Sequence, residues 1–217
     1  MSDHESEENA LAFIQDLHQI FQDPLPGKAV QREMSPVHRK FLSPPSDARQ
    51  SATLLLLFQK EQEWYFPLIK RPRNERDKHS GQISYPGGQV EKQDLNFEFT
   101  AKREVFEEIG IPIADIEIIG KLSQTYINVS NFNIHPFVGF IPFQPKYILQ
   151  ESEVDLVIEF PIKLLLDLTI RKIKDIQVRN YTLKNVPYFA FQNHIIWGAT
   201  AILMNEFSKL LEKADLH

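Results

Sequence analysis

Apolar residues at Phe13, Ile14, Leu17, Ile20 and Phe21 fall three or four positions apart, the spacing of one helical face, and predict a helix from Ala10 to Phe21 after a frayed polar start. The stripe belongs either to a helix packed on its own domain, the commoner use of such a pattern, or to a homodimer contact. Pro24, Pro26 and Gly27 end it, and residues 24–45 show little period, so they are expected to wrap irregularly against the domain. Ser51–Phe58 is a nearly continuous apolar run of strand length. Trp64–Lys70 alternates enough to be its hairpin partner across Lys60, Glu61 and Gln62. Further strands are expected at Gln82–Tyr85, Ile116–Tyr126, Asn133–Ile141 and Val154–Phe160, with a strand pair in Thr169–Val186. A hairpin of Tyr188–Phe191 with His194–Trp197 follows. Gln144–Ser152 reads as a polar loop and Pro161–Leu168 as a short helix. Ile202, Leu203, Phe207, Leu210 and Leu211 stripe a last helix, Ala199–Lys213. Mixed strands with segregated helices predict an α+β fold: an N-terminal helix and wrapping extension over residues 1–46, then one domain over 47–217.

One stretch departs from ordinary patterning. Gly87–Ile111 opens on a double glycine and closes on Arg103, Glu104, Val105, Phe106, Glu107, Glu108, Ile109, Gly110 and Ile111. In a helix over Phe97–Ile109, Glu104, Glu107 and Glu108 share a face about 100° wide. Each like-charged pair at such spacing costs about 0.2–0.5 kcal/mol, and the helix dipole disfavours anions near the C-terminus. The bland reading is a solvated acidic face. The sharper one is a cation site, because hard oxygen ligands without cysteine suit Mg²⁺ or Mn²⁺, and those ions accompany phosphate. Gly110 stands where a left-handed cap is expected. Gly87 and Gly88 let the backbone bend tightly and approach a ligand.

Gly88, five residues, Asp94, eight residues and then Arg103–Ile111 resemble the signature of the Nudix hydrolases, with every fixed position of the second half matched. Asp94 stands where the general pattern has Glu, and eight residues rather than seven precede Arg103. Both departures resemble the coenzyme A pyrophosphatase branch of that family. So does the preceding segment Lys70, Arg71, then His79, Ser80, Gly81, Gln82, Ile83, Ser84, Tyr85, Pro86, Gly87 and Gly88. Similarity to bacterial members of the branch extends from Leu25 to about Leu211.

The resemblance implies an α/β/α sandwich around a mixed sheet. It also implies a metal-dependent diphosphatase that cleaves coenzyme A or its derivatives to 3',5'-ADP and 4'-phosphopantetheine. The ions would be held by Glu104, Glu107, Glu108 and the Gly88 carbonyl, with Arg103 orienting the acids. Asp94 is either an acceptor behind them or a loop cap. For the general base, Glu153, Glu159 and Glu104 all stand open. His79 and Arg71, with Gly87 and Gly88, are candidates to meet substrate phosphate, since a guanidinium recognises phosphate bidentately. A lone histidine is as readily structural, and a strand-end arginine solvated. Asn131, Phe132 and Trp197 line either the cleft or the core. Other nucleoside diphosphate derivatives (ADP-ribose, NADH, dinucleoside polyphosphates) remain alternative substrates.

Composition narrows the partners. The chain has 217 residues, no cysteine and a formal net charge of -5. It offers no thiolate chemistry and no basic field for nucleic acid, although Lys70, Arg71, Arg73, Arg76 and Lys78 form a local patch suited to a phosphate-rich small molecule. No apolar run reaches membrane-spanning length and residues 1–10 are acidic, so a cytoplasmic location without membrane contact is expected. A non-catalytic nucleotide-sensing module would carry degraded carboxylates. Here all three remain.

Overall fold

The computed structural model describes residues 3–37, 39–72, 81–178 and 181–214, with the backbone alone for residues 3–7. The helices are α1 (Asp3–Ile20), α2 (Gly27–Glu33), α3 (Phe97–Ile109) and α4 (Ala199–Leu211). The main sheet contains β1 (Arg49–Lys60), β2 (Glu63–Lys70), β3 (Ile83–Ser84), β4 (Gly87–Gln89), β5 (Glu117–Lys121), β6 (Thr125–Ile127), β7 (Phe132–Phe140) and β8 (Leu156–Pro161). A second sheet is formed by β9 (Arg171–Val178), β10 (Tyr181–Phe191) and β11 (His194–Trp197).

The continuous apolar run of β1 has a simple cause. Leu54, Leu56 and Phe58 pack with Ala101, Val105 and Ile109 of α3 on one side of the sheet. Leu55 and Leu57 pack with Phe13 and Leu17 of α1 and Phe207 and Leu210 of α4 on the other. A strand covered on both faces cannot alternate apolar with polar. β1 is parallel to β7 and antiparallel to β2 and β4. The architecture is therefore the expected α/β/α sandwich with a mixed sheet.

α1 packs on its own domain, with Leu17 fully buried and the Phe13 and Trp64 rings 5.0 Å apart. It begins at Asp3, earlier than the apolar stripe suggested, because helix continues through the acidic leader. Within the expected irregular wrap lies α2, whose inward residue is the amide Gln31, 1% exposed. A helix that buries an amide leaves no apolar period to read. The expected strand Ile116–Tyr126 divides into β5 and β6, and Pro161–Leu168 forms 3-10 turns (Ile162–Leu166 and Leu168–Ile170) rather than α-helix. β4 carries two glycines in three residues and so gave no alternation. Among the described residues no helix is long and apolar enough to cross a membrane.

The first 46 residues are tied to α4 by Glu206, which is fully buried. Its carboxyl oxygens accept from Gly27 N at 3.1 Å, Gln31 Nε2 at 2.9 Å and Ser123 N at 3.2 Å. Glu206→Ala would strand two backbone donors and an amide, and we expect a loss of about 3 kcal/mol in urea denaturation. A cost below about 1 kcal/mol would mean that these bonds add little to holding the N-terminal segment.

Candidate active site and metal centre

α3 starts and stops where its sequence directs. Asn96 caps it by accepting from Phe99 N at 2.8 Å, and Gly110 ends it in the left-handed conformation at φ 78°. A Cβ on Gly110 would also stand 2.6 Å from the Cβ of Ile148, so glycine is required twice over. The loop after β7 satisfies carbonyls of the last turn: Ile148 N donates to Ile109 O at 3.0 Å and Gln150 N to Glu108 O at 3.1 Å. Glu153 follows directly, its N–H donating to Gln150 O at 2.8 Å. The polar loop is thus a strap fixed to the acidic end of the helix.

The glycine bend meets the same helix from the sheet. Gly88 pairs with Ala52 and Gly87 with Thr53. Gly87 N donates to Glu108 Oε2 at 2.9 Å. A Cβ on Gly87 would lie 2.5 Å from the Ala52 carbonyl oxygen, and one on Gly88 would lie 2.5 Å from the Glu104 carboxyl group. A side chain at Gly87 would collide with β1, and one at Gly88 would displace the Glu104 carboxyl group.

Arg103 spends all its donors inside the protein. Nε and Nη2 grip Asp94 at 2.8 and 3.0 Å, Nη1 reaches Glu104 at 2.8 Å and Glu107 at 2.6 Å, and Nη2 also donates to Gln89 O at 3.1 Å. Five N–H groups are occupied, so this guanidinium orients the acids and has none left for substrate. Asp94 fills both roles open to it. Its carboxyl holds Arg103, and it also accepts from Glu91 N at 2.9 Å and Thr100 Oγ1 at 2.8 Å. The Arg103 bonds, above all, hold its pKa down at about 2.

Glu104 and Glu108 are held in the opposite sense. Burial pushes Glu104 up to about 7, against the pull of Arg103. Burial likewise pushes Glu108 up to about 8, the Gly87 N–H and Arg71 opposing, Glu104 and Glu153 adding to it. These influences put Arg71 and Glu153 within electrostatic reach of Glu108. Glu108 is 1% exposed and its Oε1 has no hydrogen-bond partner. Glu107 lies at the surface, its side chain 51% exposed. An all-oxygen set of acids, one buried oxygen unpartnered, beside a cradle that any Cβ would fill, suits a hard divalent cation. Among the described residues no three such groups yet stand at ligand spacing, since Arg103 holds one oxygen each of Glu104 and Glu107.

The other candidates separate. Glu159 bonds to Lys60 Nζ at 2.7 Å and Tyr147 OH at 3.2 Å. Both carboxyl oxygens of Glu159 are thus engaged by an ion pair and a phenol rather than by the glycine bend. Asn131 accepts from Tyr126 OH at 2.9 Å, Phe132 lies under the Arg49 guanidinium at 3.9 Å, and Trp197 pairs with Tyr188 in the second sheet. His79, with Arg73, Arg76, Lys78 and Ser80, lies outside the described residues. Sequence reading missed the Gln89 carbonyl and Thr100. It also missed a polar brace beneath the start of α3, where His135 Nε2 lies 2.8 Å from Gln50 Oε1 and its ring stacks on Phe97 at 3.6 Å. The polar residues at Asn131, Asn133 and His135, alternating through the start of β7, were the available signal.

The sequence profile of the NUDIX domain matches residues 48–172. An Enterobacter protein named as the uncharacterized Nudix hydrolase NudL is 37% identical over 160 residues, covering 74% of this chain and 81% of its own. Its namesake from Pectobacterium atrosepticum is 32% identical over 141 residues, covering 65% and 72%. Among solved structures, a MutT/nudix family protein from Enterococcus faecalis aligns over 98% of this chain and 75% of its own with a TM-score of 0.52 at 14% identity. A C. elegans Ap4A hydrolase aligns over 76% and 98% with a TM-score of 0.50 at 13% identity. At such identities the structures speak for the fold, while the profile and the sequence relatives establish descent: the chain belongs to the Nudix hydrolase family.

Proposed function

We propose that this Nudix enzyme hydrolyses the diphosphate of coenzyme A or its derivatives to 3',5'-ADP and 4'-phosphopantetheine in the cytoplasm. The observation that carries the reaction class is the buried pair Glu104 and Glu108, with Glu108 Oε1 unpartnered, against the Gly87–Gly88 bend. The substrate rests on the resemblance of Lys70–Gly88 and of the Asp94 spacing to the coenzyme A branch. Glu104, Glu107, Glu108 and the Gly88 carbonyl would hold Mg²⁺ or Mn²⁺, which when bound neutralises phosphoryl charge and acidifies water.

The chain's own residues supply the rest. Arg103 fixes the rotamers of Glu104 and Glu107, and the Gly87 N–H fixes Glu108. Gly87 and Gly88 keep the bend bare, so a phosphate can approach the backbone. Arg71 binds a substrate phosphate, and His79 contributes to the same recognition. Glu153, on the strap beside Glu108, accepts the proton of the attacking water at its carboxylate. Glu104, held by Arg103, is the weaker candidate for that task.

Three outcomes test this reading. Glu107→Gln and Glu108→Gln should each lower kcat by about 10²–10³-fold or more while the melting temperature does not fall; loss of folding would favour a structural role for the acids. Purified protein with Mn²⁺ or Mg²⁺ should release 3',5'-ADP from coenzyme A faster than it turns over ADP-ribose, NADH or a dinucleoside polyphosphate, as read by chromatography of products. Negligible relative turnover of coenzyme A would discard the substrate and leave the reaction class intact.

The third outcome concerns pH. The folded chain keeps protons on Glu104 and Glu108 up to about 7 and 8, whereas the unfolded chain releases them near 4.3. The native state therefore binds more protons across that window, and the stability gained at low pH is lost as pH rises through the folded values. Metal-stripped protein should become steadily less stable to urea from pH 5 to about 8.5, and Mn²⁺ should restore it. Glu104→Gln/Glu108→Gln should flatten the profile; an unchanged slope in that variant would assign the effect to other groups.

A further inference from the structure

A basic segment lies within this acidic chain. Over residues 27–49, Lys28, Arg32, Arg39, Lys40 and Arg49 stand against Glu33 and Asp47, while the whole chain carries a formal net charge of -5. Glu33 is engaged elsewhere, its Oε2 accepting from Asn205 Nδ2 at 3.1 Å. Two of the arginines converge. Arg32 comes from the last turn of α2 and Arg39 from the irregular chain beyond it. Their guanidinium carbons lie 5.4 and 5.1 Å from the centroid of one ring, that of Phe41.

Arg39 is only partly exposed, and among the described residues its guanidinium makes one hydrogen bond, from Nη2 to Tyr126 O at 3.2 Å. A guanidinium carries five N–H donors. Burial lowers the pKa of Arg39, and no carboxylate acts to raise it. Arg103 shows the contrast: also enclosed, it is matched by Asp94, Glu104 and Glu107. A guanidinium that meets a ring through its face keeps its in-plane donors for another acceptor. Two such forks are gathered on Phe41, with no acid of the chain bonded to either among the described residues.

The geometry points to a phosphate-binding site on the N-terminal segment, in which Arg32 and Arg39 together take a phosphate monoester. A monoester carries about 1.5 to 2 negative charges at pH 7 and three strong acceptor oxygens, enough for two forks. A carboxylate carries one charge and matches one fork. The site lies beside the acids of α3 and is not part of them. Tyr126 stands opposite Asn133, Asn133 beside Gln50, and Gln50 O accepts from Val90 N just after β4. Three strand spacings, about 14 Å, thus separate Tyr126 from the strand that carries the glycine bend. Two sources share the chemistry: a phosphate of the substrate remote from the scissile bridge, and a separate phosphorylated molecule. Only the choice between them rests on the proposed reaction.

Phosphorus-31 NMR titration of the metal-free full chain with inorganic phosphate should show saturable binding, weakened about 10-fold or more in Arg32→Gln/Arg39→Gln. Arg32 is exposed, so Arg32→Gln alone should fold as the natural chain does and still weaken binding about 3-fold or more. Turnover with Mn²⁺ then separates the sources. If the ester belongs to the substrate, the double variant should raise KM for coenzyme A about 10-fold or more and leave KM for dephospho-coenzyme A and both kcat values unchanged. If it belongs to a separate molecule, both KM values should stay while phosphate binding is lost. No phosphate binding by the natural chain would overturn the inference, as would binding equally tight in Arg32→Gln and in the natural chain. A failure to turn over coenzyme A would discard the proposed substrate and leave the titration standing.

Discussion

Like charge forced together at the negative end of a helix is the constraint that the site is built to meet. Glu104, Glu107 and Glu108 occupy the last two turns of α3, and two of them are buried. Two unit charges about 4 Å apart interact by about 4 kcal/mol at an effective dielectric of 20, which a single helix turn cannot absorb. Arg103 offsets part of this, but it must also serve Asp94. With Arg71 acting on Glu108 from the strand end, two cations face four acids. Burial, with this repulsion as the smaller part, raises the proton affinity of Glu104 and Glu108, and Glu108 Oε1 stays without a hydrogen-bond partner. Protonation is one way to relieve that penalty.

Where sequence signals were local and steric, they were legible. The bounds of α3, its left-handed glycine cap and the hairpin of β10 with β11 follow from residues that act within a turn of themselves. The orienting role of Arg103 was implied by the family resemblance, and its bonds to Glu104 and Glu107 are in keeping with it. What escaped reading depends on partners far along the chain. α2 buries Gln31 because Glu206 waits 175 residues away, and β4 becomes a strand only because β1 lies beside it. The choice between Glu153 and Glu159 was undecidable from composition, since both sit in acidic, strand-like surroundings. Lys60 and Tyr147 draw Glu159 away, and that pairing exists only in three dimensions.

The N-terminal segment also changes character when seen folded. Its sequence leads one to expect a helix packed on the domain and an irregular wrap against it. Phe13, Ile14, Leu17 and Ile20 sit in the same apolar cluster as the α4 stripe. Glu206 and Asn205 bond to α2, Asn205 through the Val30 carbonyl at 2.9 Å. Without this cover, the α1 and α4 side of the sheet would expose Leu55 and Leu57, and β1 would lose the two-sided burial that makes it the central strand.

Backbone hydrogen bonds, more than side-chain contacts, explain how distant parts of the sequence reach one place. β2 and β8 run antiparallel with Lys70 opposite Leu156, and Asp155 N donates to Lys70 O at 2.8 Å. That register sets Arg71 and Glu153 at neighbouring strand ends. The strap then carries Glu153 to α3 through the Glu108 and Ile109 carbonyls, while β4 carries the glycine bend to the same helix. The acids therefore ride on regular elements whose geometry permits little variation. Beside them, Arg71 N donates to Gln82 O at 3.0 Å and continues the pairing of β2 with β3. The acids and the glycine bend are thus brought together by strand register and by backbone bonds at the end of the helix.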